Sequence, residues 1–194
     1  CNKKNLKRIN GDYCLLFIYK CNFLDDISNN KQGGAIYIYN QKNNNPIGSY
    51  SDILHTVFKN CQGVDGGAIW FHTKQNTRYI NITGCTFENN KAIAASGKGG
   101  AICFLATYGF IEGCTFTNNM APKGGDIYYN CSASSPNQIK ENEFLTVRNN
   151  IFIRNNQQDT AKCIMYLFWK PISNLSFVHN QIKIDESSYL GKSF

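Results

Sequence analysis

"GCTFENNKAIAASGKGGAICF", residues 84–104, is soon followed by "GCTFTNNMAPKGGDIYY", residues 113–129. Both stretches run Gly-Cys-Thr-Phe, then paired Asn, then Gly-Gly two residues before an Ile, and the second has a shorter middle. Self-similarity of this kind is the mark of a stacked array, because one unit cannot bury its own apolar face. The Gly-Gly element occurs four times, at Gly33-Gly34, Gly66-Gly67, Gly99-Gly100 and Gly124-Gly125. Short apolar runs follow each pair: "AIYIY", "AIWFH", "AICFL" and "DIYYN". A second landmark is a Phe closing another short strand, at Phe23, Phe58, Phe87, Phe116, Phe152 and Phe177. Asn follows most of them, at Asn60, Asn89-Asn90, Asn118-Asn119, Asn155-Asn156 and Asn180, while the first copy has its pair later, at Asn29-Asn30. The fifth copy reads Ala161-Lys162-Cys163-Ile164 where Gly-Gly-Ala-Ile is expected, and the sixth stops short of it.

Segments such as "YCLLFIY", "YINITG" and "FLTVR" are β-branched or aromatic runs of strand length. No long stretch carries a helical period. Units of about 30 residues built only from strands and turns fit the coils of a parallel β-helix. We therefore read the chain as all-β, a right-handed parallel β-helix (single-stranded β-solenoid) of about six coils. Residues 1–194 form one domain, with a polar extension or cap over 1–12, coils over 13–183 and a tail over 184–194.

The Gly-Gly-Ala-Ile elements, together with Phe-x-Asn-Asn at Phe87–Asn90 and Phe116–Asn119, resemble the repeats of the polymorphic outer membrane protein (Pmp) family. The resemblance covers residues 20–160, departs at Asp126 and fails in the fifth copy. It implies right-handed β-helix passenger domains, adhesion and antigenic display. The sequence has no trace of the membrane barrel that bacterial members carry.

Within such a coil, Gly-Gly suits a corner of positive φ or crowded backbone. Strand alternation puts Ile36 and Ile38, Ile69 and Phe71, Ile102 and Phe104, Ile127 and Tyr129 on one face, assigned inward. Tyr37, Trp70, Cys103 and Tyr128 fall on the other face, beside Ala35, Ala68, Ala101 and Asp126. The charge of Asp126 argues that this face points outward. Tyr37, Trp70 and Tyr128 then form a candidate contact stripe for protein or glycan, unless the long loops 40–52 and 131–143 fold over it. Paired Asn either close solvated turns or stack into an amide ladder. Cys21, Cys85 and Cys114 share a position and should stack, as free buried thiols in preference to bridges.

Composition narrows the rest. Aromatic residues at 13% and apolar residues at 42% exclude wholesale disorder. No apolar run reaches the roughly 18 residues of a membrane-spanning helix. The chain opens "CNKKNLKRIN", without Met or a secretory signal, and is read as a processed form or a piece of something longer. Nine Cys together with sequons at Asn81, Asn130 and Asn174 favour an extracellular or cell-surface setting reached by the secretory route. The net charge of +7 comes with no nucleic-acid motif, and its densest cluster is Lys3, Lys4, Lys7 and Arg8. Uncapped end rungs invite end-to-end homo-assembly into a filament or longer stalk.

Enzymes also use this fold, so a pectate-lyase-like carbohydrate-active enzyme is the alternative. That chemistry needs convergent carboxyls or a carboxylate-held cation. Asp25 and Asp26 are adjacent and should diverge. Asp65 and Asp126 flank their corners on opposite sides, while Glu88 and Glu112 are close to strand ends and could approach across one rung. His55, His72 and His179 share no repeat position. We expect a non-enzymatic structural or adhesive protein, with no cofactor and no metal.

Overall fold

The computed structural model describes residues 9–10, 16–40, 49–73, 78–105, 108–130, 144–155, 163–168 and 174–184. Among these, the chain enters with β1 (Ile9–Asn10) and then winds through six coils. Coil one holds β2 (Leu16–Tyr19), β3 (Asn22–Leu24) and β4 (Ile36–Asn40). Coil two holds β5 (Ser49–Leu54), β6 (Val57–Lys59), β7 (Gln62–Gly63) and β8 (Ile69–Thr73). Coil three follows with β9 (Arg78–Thr83), β10 (Thr86–Glu88), β11 (Lys91–Ala92) and β12 (Ile102–Leu105). Coil four has β13 (Tyr108–Glu112), β14 (Thr115–Thr117) and β15 (Ile127–Asn130). Coil five has β16 (Phe144–Arg148), β17 (Ile151–Arg154) and β18 (Met165–Phe168), and the sixth has β19 (Asn174–Val178) and β20 (Gln181–Ile184).

Equivalent strands stack in parallel into three six-stranded sheets. Sheet I is β2-β5-β9-β13-β16-β19, sheet II is β3-β6-β10-β14-β17-β20, and sheet III is β1-β4-β8-β12-β15-β18. β7 and β11 form a short ladder between sheets II and III. The result is a right-handed parallel β-helix, as the repeat predicts. β1 lies inside the span read as a polar extension and pairs with β4.

Like sits on like inside. Ile36, Ile69, Ile102, Ile127 and Met165 are in register along sheet III, and Ile18, Ile53, Ile82, Ile111 and Val147 along sheet I. Sheet II contributes Phe23, Phe58, Phe87, Phe116 and Phe152, whose rings stack at 4.9–5.0 Å between neighbouring rungs. These columns form one continuous core. Phe177 stacks its ring on Phe152 at 5.9 Å but does so from outside the register of the Phe column. It pairs with Val147 on sheet I, and Ile182 takes the place opposite Phe152. The fifth corner is likewise offset by one residue from the sequence reading. Met165, not Ile164, pairs with Ile127, so Cys163 stands opposite Gly125.

Two bends join sheet I to II and sheet II toward III, and both are built from a left-handed residue followed by an inward one. At the first bend Lys20, His55, Gly84, Gly113, Asn149 and His179 all have φ between 49° and 62°. The next residue turns its N–H inward, away from the strand ladder, where it needs an acceptor. Side chains of the following rung supply one. The N–H of Cys21 donates to Thr56 Oγ1 (3.3 Å), Thr56 to Cys85 Sγ (3.5 Å) and Cys85 to Cys114 Sγ (3.4 Å). The series continues from Cys114 to Asn150 Oδ1 (2.8 Å) and from Asn150 to Asn180 Oδ1 (3.0 Å). At the second bend Asp25, Asn60, Asn89 and Asn118 are left-handed. There Cys61 N–H donates to Asn90 Oδ1 and Asn90 N–H to Asn119 Oδ1, both at 2.9 Å. Turn and ladder are thus both present, one for each Asn of the pair. Asp25-Asp26, not Asn29-Asn30, occupies this place in coil one, and Asn60 Nδ2 donates to Asp25 Oδ1 at 2.9 Å.

The third corner is Gly-Gly. The first glycine of each pair, Gly33, Gly66, Gly99 and Gly124, has φ between 63° and 68°. The second is held by crowding: a Cβ on Gly100 would lie 2.0 Å from the Gly125 carbonyl oxygen.

Candidate functional site

On the outer side of sheet III, Tyr37, Trp70, Cys103, Tyr128 and Tyr166 stand in register. Tyr37 stacks on Trp70 at 4.7 Å with the rings 3° from parallel, and Tyr128 on Tyr166 at 5.5 Å. They form a second apolar cluster, separate from the core. Their face is therefore the outer one, as expected, but the open stripe is corrected: Trp70 is 6% and Tyr128 4% exposed. Stacking at rung spacing hides ring faces against one another. Of the loops named as covers for this face, residues 49–52 belong to β5, while 41–48 and 131–143 lie outside the described residues. Tyr37 and Tyr166 keep partial exposure. Beside them Tyr39 meets His72 at 5.2 Å, and His72 stands edge-on to Trp70 at 5.4 Å. Lys98 Nζ lies 5.7 Å over the Tyr128 ring and Lys123 Nζ 5.8 Å over Tyr166, a cation–π arrangement repeated on successive rungs. Lys98 is also steadied by Asp65, whose Oδ1 accepts the Lys98 N–H at 3.0 Å. Burial pushes the Tyr128 phenol and the Cys103 thiol up from their ordinary pKa values.

Asp126, read as an outward charge, is fully buried. It points inward from the corner and accepts from Asn119 Nδ2 (2.8 Å) and from Arg154 Nη1 (3.3 Å) and Nη2. Arg154 reaches it because β17 runs on where the other rungs bend, so alternation turns the side chain inward. The sequence signal was there: Asp126 and Arg154 are charges of opposite sign that depart from the repeat in adjacent coils.

The carboxylates considered for catalysis are held apart. Glu88 pairs with Lys59 (2.8 Å) on sheet II, and Glu112 with Arg148 (2.9 Å) on sheet I. The hydrogen bond from Arg148 holds the Glu112 carboxyl below its ordinary pKa. His55 and His179 do share a place, the left-handed position of the first bend, while His72 sits on sheet III. Among the described residues no group of three or more His, Cys, Asp or Glu is disposed to hold a metal. No described helix is long and apolar enough to cross a membrane.

Cys21, Cys61, Cys85, Cys103, Cys114 and Cys163 are free thiols, while Cys1, Cys14 and Cys131 lie outside the described residues. Desolvation pushes Cys61 up to about 12 and Cys114 well above the ordinary thiol value. Of the sequons, Asn81 lies on the outer side of β9, between inward Ile80 and Ile82. Asn130 ends β15 half-buried, with the rest of its sequon outside the described residues, and Asn174 opens β19.

Coil three, with its Gly-Gly corner, two bends and stacked Phe, carries the sequence match. Residues 84–105 match the Chlamydia polymorphic membrane protein repeat. The matched Pmp segment runs from the first bend through β10, β11 and the Gly99-Gly100 corner to the end of β12, one coil without its sheet I strand. Neighbouring coils reproduce the same elements in register, so the chain is similar to a Pmp-like array. No curated protein and no solved structure matches the chain.

Proposed function

We propose that this Pmp-like solenoid is a non-enzymatic structural and adhesive protein of a cell surface, offering its outer sheet faces to a protein or glycan partner. The observation that carries the reading is the Pmp repeat at residues 84–105, set within a stack whose interior is filled by repeated side chains. Constancy inside leaves the outside free to vary, and sequence differences between coils concentrate there. The contact chemistry of sheet III lies in its part-exposed rim, Tyr37, Tyr39 and Tyr166, with Lys98 and Lys123. Aromatic edges beside cations suit a sugar bearing carboxylate or sulfate, or an acidic protein patch.

The test has two arms. Protease shaving of intact cells of the native source should release peptides from this chain, and purified protein should bind cells or an array of acidic glycans in a salt-sensitive way. Lys98→Ala with Lys123→Ala should weaken that binding while the melting temperature holds. Recovery of the chain only from lysed cells would overturn the surface location. Release of reducing or unsaturated sugar ends from polyuronates would restore the enzyme alternative.

A further inference from the structure

We propose that Asn81 is an N-glycosylated residue, and that its glycan projects from the outer face of sheet I. The inference rests on the surface-protein reading, since it needs passage through a secretory compartment. Tyr79, Asn81 and Thr83 alternate with Ile80 and Ile82 along β9, so the three polar or aromatic side chains share the outer face while both Ile side chains are fully buried. Thr83 completes the Asn-Ile-Thr acceptor motif. Its hydroxyl donates to Asn81 Oδ1 at 2.7 Å. Asn81 Nδ2, the atom that carries a glycan, donates to no protein acceptor among the described residues. Every ladder Asn is the opposite case: Asn90, Asn119, Asn150 and Asn180 commit Nδ2 to carbonyls of the preceding rung. A sugar there would destroy the solenoid, and none of those four begins an acceptor motif.

Surroundings favour a sugar at Asn81. Its register partners are Asp52 on one side and Phe110 on the other. The Phe110 ring meets Tyr79 edge-on at 5.4 Å, which places two aromatic side chains beside the first residue of a glycan. Asn130 differs, because its Oδ1 is buried without a hydrogen-bond partner among the described residues.

The transfer requires a polyprenyl-diphosphate-linked oligosaccharide as donor and a cellular transferase acting on the chain before β9 is sealed into the sheet. Asn81 Nδ2 bonds to the anomeric carbon, the bond from that carbon to the phosphate oxygen breaks, and polyprenyl diphosphate leaves with the electron pair. The nitrogen's proton passes to a base of the transferase.

The experiment expresses the full chain behind a secretory leader in eukaryotic cells and maps glycosidase-sensitive sites by peptide mass spectrometry in H₂¹⁸O. Occupancy at Asn81 is expected in folded, secreted protein, with loss in Thr83→Val and retention in Thr83→Ser. Tyr79→Ala should lower occupancy without altering the β spectrum. Folded, secreted protein bare at Asn81 overturns the proposal, and so does a glycan at Asn130 or Asn174 with Asn81 empty. Because the leader imposes the route, those results are independent of whether native cells display the chain, which the shaving experiment decides.

Discussion

At Asp126 the repeat places a carboxyl where Ala35, Ala68 and Ala101 stand in earlier corners, and at Arg154 a guanidinium where the second bend has Asn. Each alone would be a buried charge in an apolar stack, and together, with Asn119, they satisfy one another. Breaking a buried pair by removing one partner typically costs about 3–5 kcal/mol, because the other charge is left uncompensated. Asp126→Ala and Arg154→Asn should each show that loss in urea unfolding. The double variant restores both repeat residues and should recover much of it, giving a large coupling energy in the cycle. Additive losses would mean the two charges are held independently. The Cys61 thiol gives a pH prediction at the same scale. Desolvation in the core lifts it to about 12 from the ordinary 9, so the folded state holds its proton over a range where the unfolded chain loses it. Stability from this group is complete below pH 9 and is lost as pH rises toward about 12, with a slope of at most about 1.4 kcal/mol per pH unit. Cys61→Asn, which writes in the ladder residue used at Asn90 and Asn119, should flatten that part of the pH–stability curve. An unchanged curve would show that other groups set the alkaline limit.

Among the elements, the corners and bends divide glycines by what holds them. Gly100 is hemmed by backbone, with the Gly125 oxygen 2.0 Å and the Met120 nitrogen 2.4 Å from any Cβ, and main chain cannot swing aside. Gly100→Ala should destabilise by about 3 kcal/mol, the upper range for overpacking. Gly113 has φ +61° but open space around it, and Asn149 fills the equivalent place one coil on. Gly113→Asn should stay within about 1 kcal/mol of the parent, because Asn tolerates this conformation and the unfolded chain loses freedom. Equal effects at the two sites would refute the division. This contrast marks how far the elements were legible beforehand. Gly-Gly, Phe and paired Asn announced three stacked columns because each sits where a like residue must repeat. The phase of degenerate copies was not legible. Asp25-Asp26 hid the first second-bend, since an acidic pair reads as loop. Cys163 hid a corner, and "FVHNQI" suggested a Phe column that β20 fills with Ile182. Burial of Trp70 and Tyr128 was equally hidden, because alternation tells which side a residue faces and not whether its neighbours on that side close over it.

Over the whole molecule, stacking makes each coil depend on its two neighbours, so stability should behave as a sum of coils and interfaces. The ladders make this testable, because coils three and four superpose at an offset of 29 residues through sheets I and II and of 25 on sheet III, where the loop before the corner is shorter. Deleting Gly84–Glu112 joins Thr83 to Gly113 and removes one full turn without changing register. Phe116 would then meet Phe58, Thr56 N–H would find Cys114 Sγ, Cys61 N–H would find Asn119 Oδ1, and the Asp126–Arg154 pair would remain. The shortened chain should keep its β-sheet spectrum and a single cooperative transition, with a urea m-value reduced along with the surface buried. Removing only Gly99–Glu112 makes the control. It keeps the sheet II strand of coil three while taking away the strands of sheets III and I that close the turn, leaving β10 without its coil. That variant should aggregate through its open strand edges. If the full-turn deletion also fails to fold, coils are not interchangeable units, and the interior must be specified by contacts particular to coil three. If both fold, register is set by local turns alone, and the stacked side-chain ladders contribute less than their geometry implies.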